Sequence, residues 1–193
     1  MNTARLVREQ VANAPERSFV AVADLVWPRH AVECELSRLA GRGEVVRVRK
    51  GLYWKGPMTR LGMPLPGAME VGLAVGGVGA GPAALSAAHL LGLTTQVPAT
   101  ETIAVAGRVP APVPGVRFVS RSVERRVNEL RHAEVAVIEV LRDGPAVVET
   151  PWRRVGEVIG SLAGDGEIRM SVVDAELRVE HHPLARSRWA ELT

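Results

Sequence analysis

Aromatic residues are scarce in this chain of 193 residues: four Trp, two Phe and one Tyr make up 4% of it. A core without them has to be assembled mainly from Val, Leu and Ala. Cysteine is nearly absent too. Cys34 stands alone, which excludes an internal disulfide and suits a reducing compartment. Lysine occurs only as Lys50 and Lys55 beside 22 Arg, and with so much Ala, Gly and Val this follows GC-rich coding rather than chemistry. The first ten residues, MNTARLVREQ, lack the apolar run of an export signal, which predicts a cytoplasmic protein. Finally, Val71 to Thr100 is a stretch of thirty residues without Asp, Glu, Lys or Arg. Six glycines, Pro82 and Pro98 interrupt it, and each piece falls below the roughly 20 apolar residues a span requires. It is predicted to be buried core, and no membrane partner is expected.

What is present is ordinary in amount but uneven in place. Charged residues are 23% of the chain, the usual share for a globular protein, which excludes wholesale disorder. Residues 1–60 hold eleven cations against six acids, a net +5, whereas residues 61–193 hold thirteen against fifteen, a net −2. Such an asymmetry points to a polyanion as partner of the first region.

Within that region the apolar period is first helical. Leu6, Val7, Val11 and Ala14 share one face of a helix capped by Thr3 and stopped by Pro15. Phe19-Val20 is extended, and residues 22–26 form a short helix. Trp27-Pro28 makes a turn into a helix over residues 29–40, with Val32, Leu36 and Leu39 inward and Gly41 at its end. The period then becomes that of strands: residues 45–48 and 52–54 pair as a hairpin across Arg49-Lys50-Gly51. This order is the outline of a winged helix-turn-helix over residues 1–60.

Residues 56–67, with Pro57, Pro64 and Pro66, read as a linker to a second domain over residues 68–193. There the pattern predicts helices at 68–75, 83–91, 128–142, 151–163 and 183–191, and strands at 102–106 and 116–120 around the Pro-rich 109–115. Residues 167–180 are ambiguous. The predicted class is α+β: a winged helix-turn-helix followed by a larger mixed α/β domain.

A helix fits the major groove, where base edges offer donors and acceptors to side chains. The helix from Arg29 turns Arg29, His30, Glu33, Cys34, Ser37 and Arg38 away from its buried stripe. Arg29 and His30 stand at the end that meets bases, and Ser37 and Arg38 lie two turns on. Arg47, Arg49 and Lys50 at the hairpin suit backbone phosphate or a minor groove, with Arg42 and Arg5 as further phosphate contacts. The expected partner is double-stranded DNA, and the expected DNA-binding residues are Arg29, His30, Ser37, Arg38, Arg42, Arg47, Arg49 and Lys50.

Other constellations carry less. Gly79-Ala80-Gly81-Pro82-Ala83-Ala84 fits G-x-G-x-x-A, but Pro82 removes an N–H that a phosphate would use, so a tight turn is expected and no cofactor. Ser86 with His89, and His181-His182, lack the converging acid of a triad. His30 and Cys34 are two ligands without a second pair, so no metal is expected. Arg121, Arg125, Arg126, Arg153 and Arg154 read as solvated faces, and as the second region's candidates for an acidic partner.

Two sets of residues resemble the AbiEi-type antitoxins of type IV toxin–antitoxin systems. One is Phe19, Asp24-Leu25, the run from Leu36 to Leu39, Gly43 and the run from Arg47 to Trp54. The other is Gly81 to Thr94, with Val105 to Arg108 and Glu134 to Leu141. The likeness spans about Phe19 to Leu141, and its most distinctive part is GPAALSAAHLLGLTT. It implies a non-enzymatic regulator that represses its own operon through inverted repeats and neutralises a nucleotidyltransferase-like toxin, with the second region as the antitoxin domain. The alternative is a phage-defence or DNA-processing enzyme with a winged-helix targeting domain. A metal-dependent nuclease would need clustered acids, and those at 124–180 are dispersed.

Overall fold

The computed structural model describes residues 2–192. The chain divides into two compact units, Met1–Gly67 and Ala68–Thr193.

The first unit opens with α1 (Thr3–Asn13), whose N-cap is Asn2 and not Thr3: the Asn2 side chain accepts from the amides of Ala4 and Arg5. Strand β1 (Ser18–Ala21) follows, then one 3-10 turn over Val22–Asp24 where the longer helix of residues 22–26 was expected. Helix α2 (Arg29–Gly41) buries Val32, Leu36 and Leu39 as its period requires. Strands β2 (Val46–Arg49) and β3 (Leu52–Lys55) form the hairpin, and β1 joins it to give the order β1-β3-β2. Phe19 lies opposite Trp54, their ring centroids 4.8 Å apart. The turn demands Gly51, at φ +77, and the ladder slips between Arg47 and Arg49, a bulge that twists the tip. Val7, Val11, Val20, Val22, Val32, Leu36, Leu39, Val45 and Tyr53 make the core.

Residues 56–67 belong to this unit and are no free linker. The Trp54 Nε1–H donates to the Pro64 carbonyl at 3.1 Å, and the Gly56 amide reaches the Met63 sulfur. A buried indole needs such a partner, so one tryptophan folds the Pro-rich segment back.

The second unit comprises α3 (Ala68–Gly76), β4 (Gly81–Pro82), α4 (Ala84–Leu90), β5 (Glu101–Ala106), β6 (Val116–Arg121), α5 (Glu124–Val127), α6 (His132–Asp143), α7 (Arg153–Gly164), α8 (Met170–Val179) and α9 (Pro183–Leu192). Its sheet has the order β4-β5-β6, with β4 antiparallel and β6 parallel to β5. Parallel neighbours ordinarily need a helical crossover. Here residues 107–115 make it as a Pro-rich loop without a helix: fully drawn out, such a length reaches at most ~30 Å, more than the ~20 Å of a six-residue strand.

Helix α6 is central. Every residue from Glu134 to Leu141 is buried, so the helix is enclosed on all sides. The helix predicted over 128–142 begins only at His132, because Glu129 adopts φ +47 and separates it from the short α5. The ambiguous residues 167–180 supply α8. The charge-free stretch becomes α3, β4 and α4, and among the described residues no helix is long and apolar enough to cross a membrane.

Candidate nucleic-acid interface

Pro28 stands at the head of α2 with φ −53, and Gly43, at φ +74, follows the helix and carries the chain into β2. The hairpin is thereby set beside the outward stripe of α2. Between them lies an open groove of about 400 Å³ lined by His30, Glu33, Cys34, Ser37, Arg38, Arg47, Lys50, Gly51 and Tyr53. Five of the eight predicted DNA-binding residues therefore meet in one concavity: His30, Ser37, Arg38, Arg47 and Lys50. Arg42 lies in an adjoining depression that shares Arg47. Arg29 and Arg49 line neither.

The cations differ in what already holds them. Arg29 pairs with Glu33 at 2.9 Å, one turn along the exposed helix. Arg42 pairs with Glu44 at 2.5 Å; that hydrogen bond, with the charges of Glu44 and Glu35, raises its guanidinium above the ordinary arginine range despite the opposing cost of burial. Exposed pairs of this kind are weak and screened by solvent, so a phosphate can displace them. Arg47, Arg49 and Lys50 have no carboxylate partner among the described residues. In the groove His30 Nε2 lies 3.7 Å from Cys34 Sγ, and among the described residues no group of three or more His, Cys, Asp or Glu is placed to hold a metal ion.

Three residues of this unit escaped the sequence reading. Lys55 turns inward, and its Nζ donates to the carbonyls of Val11, Ala12 and Ala14 at 2.8, 2.7 and 2.5 Å. It closes the C-terminus of α1, where carbonyls lack helical partners, so the exposed excess of cations is smaller than the count suggests. Glu35 is only 3% exposed, and Arg8 of α1 reaches it at 3.3 Å. Neither carries a local signal: helical spacing places Glu35 at the margin of the buried stripe, but its partner lies 27 positions earlier in the chain.

In the second unit one reading is overturned. Arg125 is no solvated residue; it is wholly buried, with Glu139 at 2.7 Å, Glu180 at 3.1 Å and Glu176 at 3.6 Å. Arg121 is half-buried and grips Glu139 through two nitrogens at 2.6 and 2.8 Å, and Arg142 pairs with Glu180. Burial pushes the Glu139 carboxyl up, but Arg121 and Arg125 outweigh it and hold the group below the usual range. Arg126, Arg153 and Arg154 are exposed, although Arg126 donates to the Ala106 carbonyl and Arg154 pairs with Glu157.

The distinctive segment at 81–95 serves packing. A Cβ on Gly81 would come within 2.4 Å of Val135 Cβ, and one on Gly79 within 2.5 Å of the Arg125 carbonyl oxygen, so the glycines admit α5 and α6 rather than a phosphate. Ser86 is buried and donates to Glu101 at 2.6 Å while accepting from the Thr102 amide, and His89 is exposed. Beyond α4, hydrogen bonds from the Thr95 amide, Gln96, Thr94 and Thr95 lower Glu149 to about 2.

No family model and no curated protein matches the sequence. Among solved structures, that of the RV2827C protein from Mycobacterium tuberculosis is similar. The match has 16% identity, covers 98% of this chain and 75% of that chain, and gives a TM-score of 0.44. A likeness at that level assigns neither a family nor a function.

Proposed function

We propose that this chain is a DNA-binding antitoxin: it represses its own operon and neutralises a nucleotidyltransferase-like toxin. In this reading the first unit is a winged helix-turn-helix, with α2 as recognition helix and the β2–β3 hairpin as wing. One observation carries the DNA-binding half. The outward stripe of α2 and the cations Arg47 and Lys50 line a single open groove, and no carboxylate among the described residues neutralises that pair. A helix with small polar groups at its surface and free cations beside it suits a major groove flanked by phosphate. The antitoxin half rests on the resemblance of the two sets of residues named above, and assigns neutralisation to the second unit. The protein acts in the cytoplasm and without catalysis.

The test is a titration of the full chain against the DNA upstream of its own gene and against mixed-sequence duplex, at several salt concentrations. Binding should fall steeply with salt through counterion release. Arg29→Ala should cost about 1–3 kcal/mol on the preferred DNA and narrow its advantage over mixed sequence. Arg49→Ala should weaken both about equally and flatten the salt slope by about one. A chain that is folded by circular dichroism yet shifts neither DNA at low salt refutes the reading. Co-expression with the neighbouring gene's product tests the second half: residues 68–193 alone should restore growth.

A further inference from the structure

A carboxylate on the packed side of a helix usually has one or two partners. Glu35 has three. Arg38 Nη1 donates to Oε2 at 3.3 Å. Arg8 Nε, which donates to the Ala4 carbonyl, lies within ion-pair range of Oε1 at 3.3 Å, and Arg42, hydrogen-bonded through Nε to Glu44, has Nη2 3.9 Å from Oε1. The Glu35 side chain is 4% exposed, while those of Arg8, Arg38 and Arg42 are 51%, 69% and 48% exposed. The carboxylate is thus the buried hub, and each guanidinium keeps donors facing solvent. Counting Glu44, the cluster retains one positive charge more than it has negative ones.

At 3.6 residues per turn, Glu35, Arg38 and Arg42 fall within an arc of about 60° on α2, and His30, Cys34 and Ser37 within another, roughly 110° away. Arg8 comes to the first arc from α1, whereas Arg47 and Lys50 border the second from the hairpin. The readable stripe is therefore flanked by a pinned set of cations from α2 and α1 and by a free set from the hairpin, and the two sets meet where Arg42 and Arg47 share a depression. A duplex groove has a phosphate strand along each side, and two such sets suit it.

We propose that Glu35 is a positioning residue that holds Arg8, Arg38 and Arg42 as a phosphate-binding ridge for the strand on the α1 side of the groove. This rests on the reading of α2 as a recognition helix, and adds Arg8, on a different helix, to the residues that touch DNA. An arginine loses rotamer freedom when it is fixed. One already pinned through a single nitrogen has lost part of it before the phosphate arrives.

The inference makes a prediction opposite in sign to simple charge counting. Glu35→Gln removes a negative charge, so charge alone predicts tighter DNA binding, whereas loss of positioning predicts weaker binding. In the full chain, titrated against fluorescein-labelled mixed-sequence duplex, Glu35→Gln and Arg8→Gln should each weaken binding about three- to tenfold and flatten the salt slope by about one. The ratio of preferred to mixed-sequence affinity should stay constant, which distinguishes lost phosphate contacts from a distorted recognition helix. Where Glu35→Gln does not fold by circular dichroism, the half-exposed Arg8→Gln decides. The inference is overturned when folded Glu35→Gln binds as tightly as the unaltered chain or more tightly, or when Arg8→Gln leaves affinity and slope unchanged. Failure of the unaltered chain to bind any duplex is a different result, and sinks the DNA-binding reading itself.

Discussion

In the first unit one buried carboxylate, Glu35, faces three guanidiniums that stay about half exposed or more; in the second, one wholly buried guanidinium, Arg125, faces three carboxylates. The two clusters use the same pair of groups with opposite geometry. With the acid at the hub, the cationic ends are displayed to solvent, where a polyanion can reach them. With the arginine at the hub, β6, α5, α6 and α8 are joined through the interior and little charge is left to display. Arginine count is therefore a poor guide to function in this protein, and what decides is which member of the pair is buried.

The comparison breaks most decisively at Arg125. Arg125→Met would leave Glu139 and Glu176 without their inner partner, and should cost about 3–5 kcal/mol, the usual loss when one member of a buried ion pair is removed. Urea unfolding of the full chain, followed through the indole NMR signals of the second unit's Trp152 and Trp189, would measure it; a loss below about 1 kcal/mol would show that Arg121 and Arg142 suffice. The next effect lies in the first unit. Lys55→Met removes three hydrogen bonds at the end of α1 and should destabilise that unit by about 1–3 kcal/mol. It should scarcely change DNA affinity at temperatures where the unit is folded, because the lysine points inward.

A smaller effect is one of pH. Glu149 sits near 2 in the folded chain and near 4.3 in an unfolded one, so its contribution is complete above the unfolded value and disappears as pH falls through about 2. A carboxyl carbon titration by NMR should give a midpoint near 2, and Glu149→Gln should speed exchange of the Thr95 amide at neutral pH. A midpoint above 4 would show that the hydrogen bonds from residues 94–96 do not form. The smallest effect sharpens the contrast with Arg125. Arg38→Ala, at an exposed arginine of the outward cluster, should change stability by no more than about 0.5 kcal/mol, with its cost appearing in DNA binding instead.

Much of the first unit is legible because its signals are local. The spacing of Val32, Leu36 and Leu39, the turn at Trp27-Pro28 and the glycine at 51 each act over a few residues, and α2 and the hairpin lie where they predict. Several boundaries were missed for equally physical reasons. Asn2 outcompetes Thr3 as the cap of α1. Pro64 bends back because a tryptophan ten positions earlier needs an acceptor. Residues 128–142 look like one helix until Glu129 takes a left-handed conformation, which no pattern of apolar residues announces.

What the sequence by itself determined is the order of elements in the first sixty residues, their basic excess and the outward stripe of α2, since helical period, turn chemistry and composition act over short distances. Only the tertiary structure decided which charges are available. Lys55 is turned inward by carbonyls more than forty positions away, and Arg125 is buried by acids 14 to 55 positions away. Arg8 becomes part of a cluster through a carboxylate on another helix. Whether a charge faces solvent depends on the partners that folding brings beside it, and a charge enters the interior only where such partners offset the loss of water.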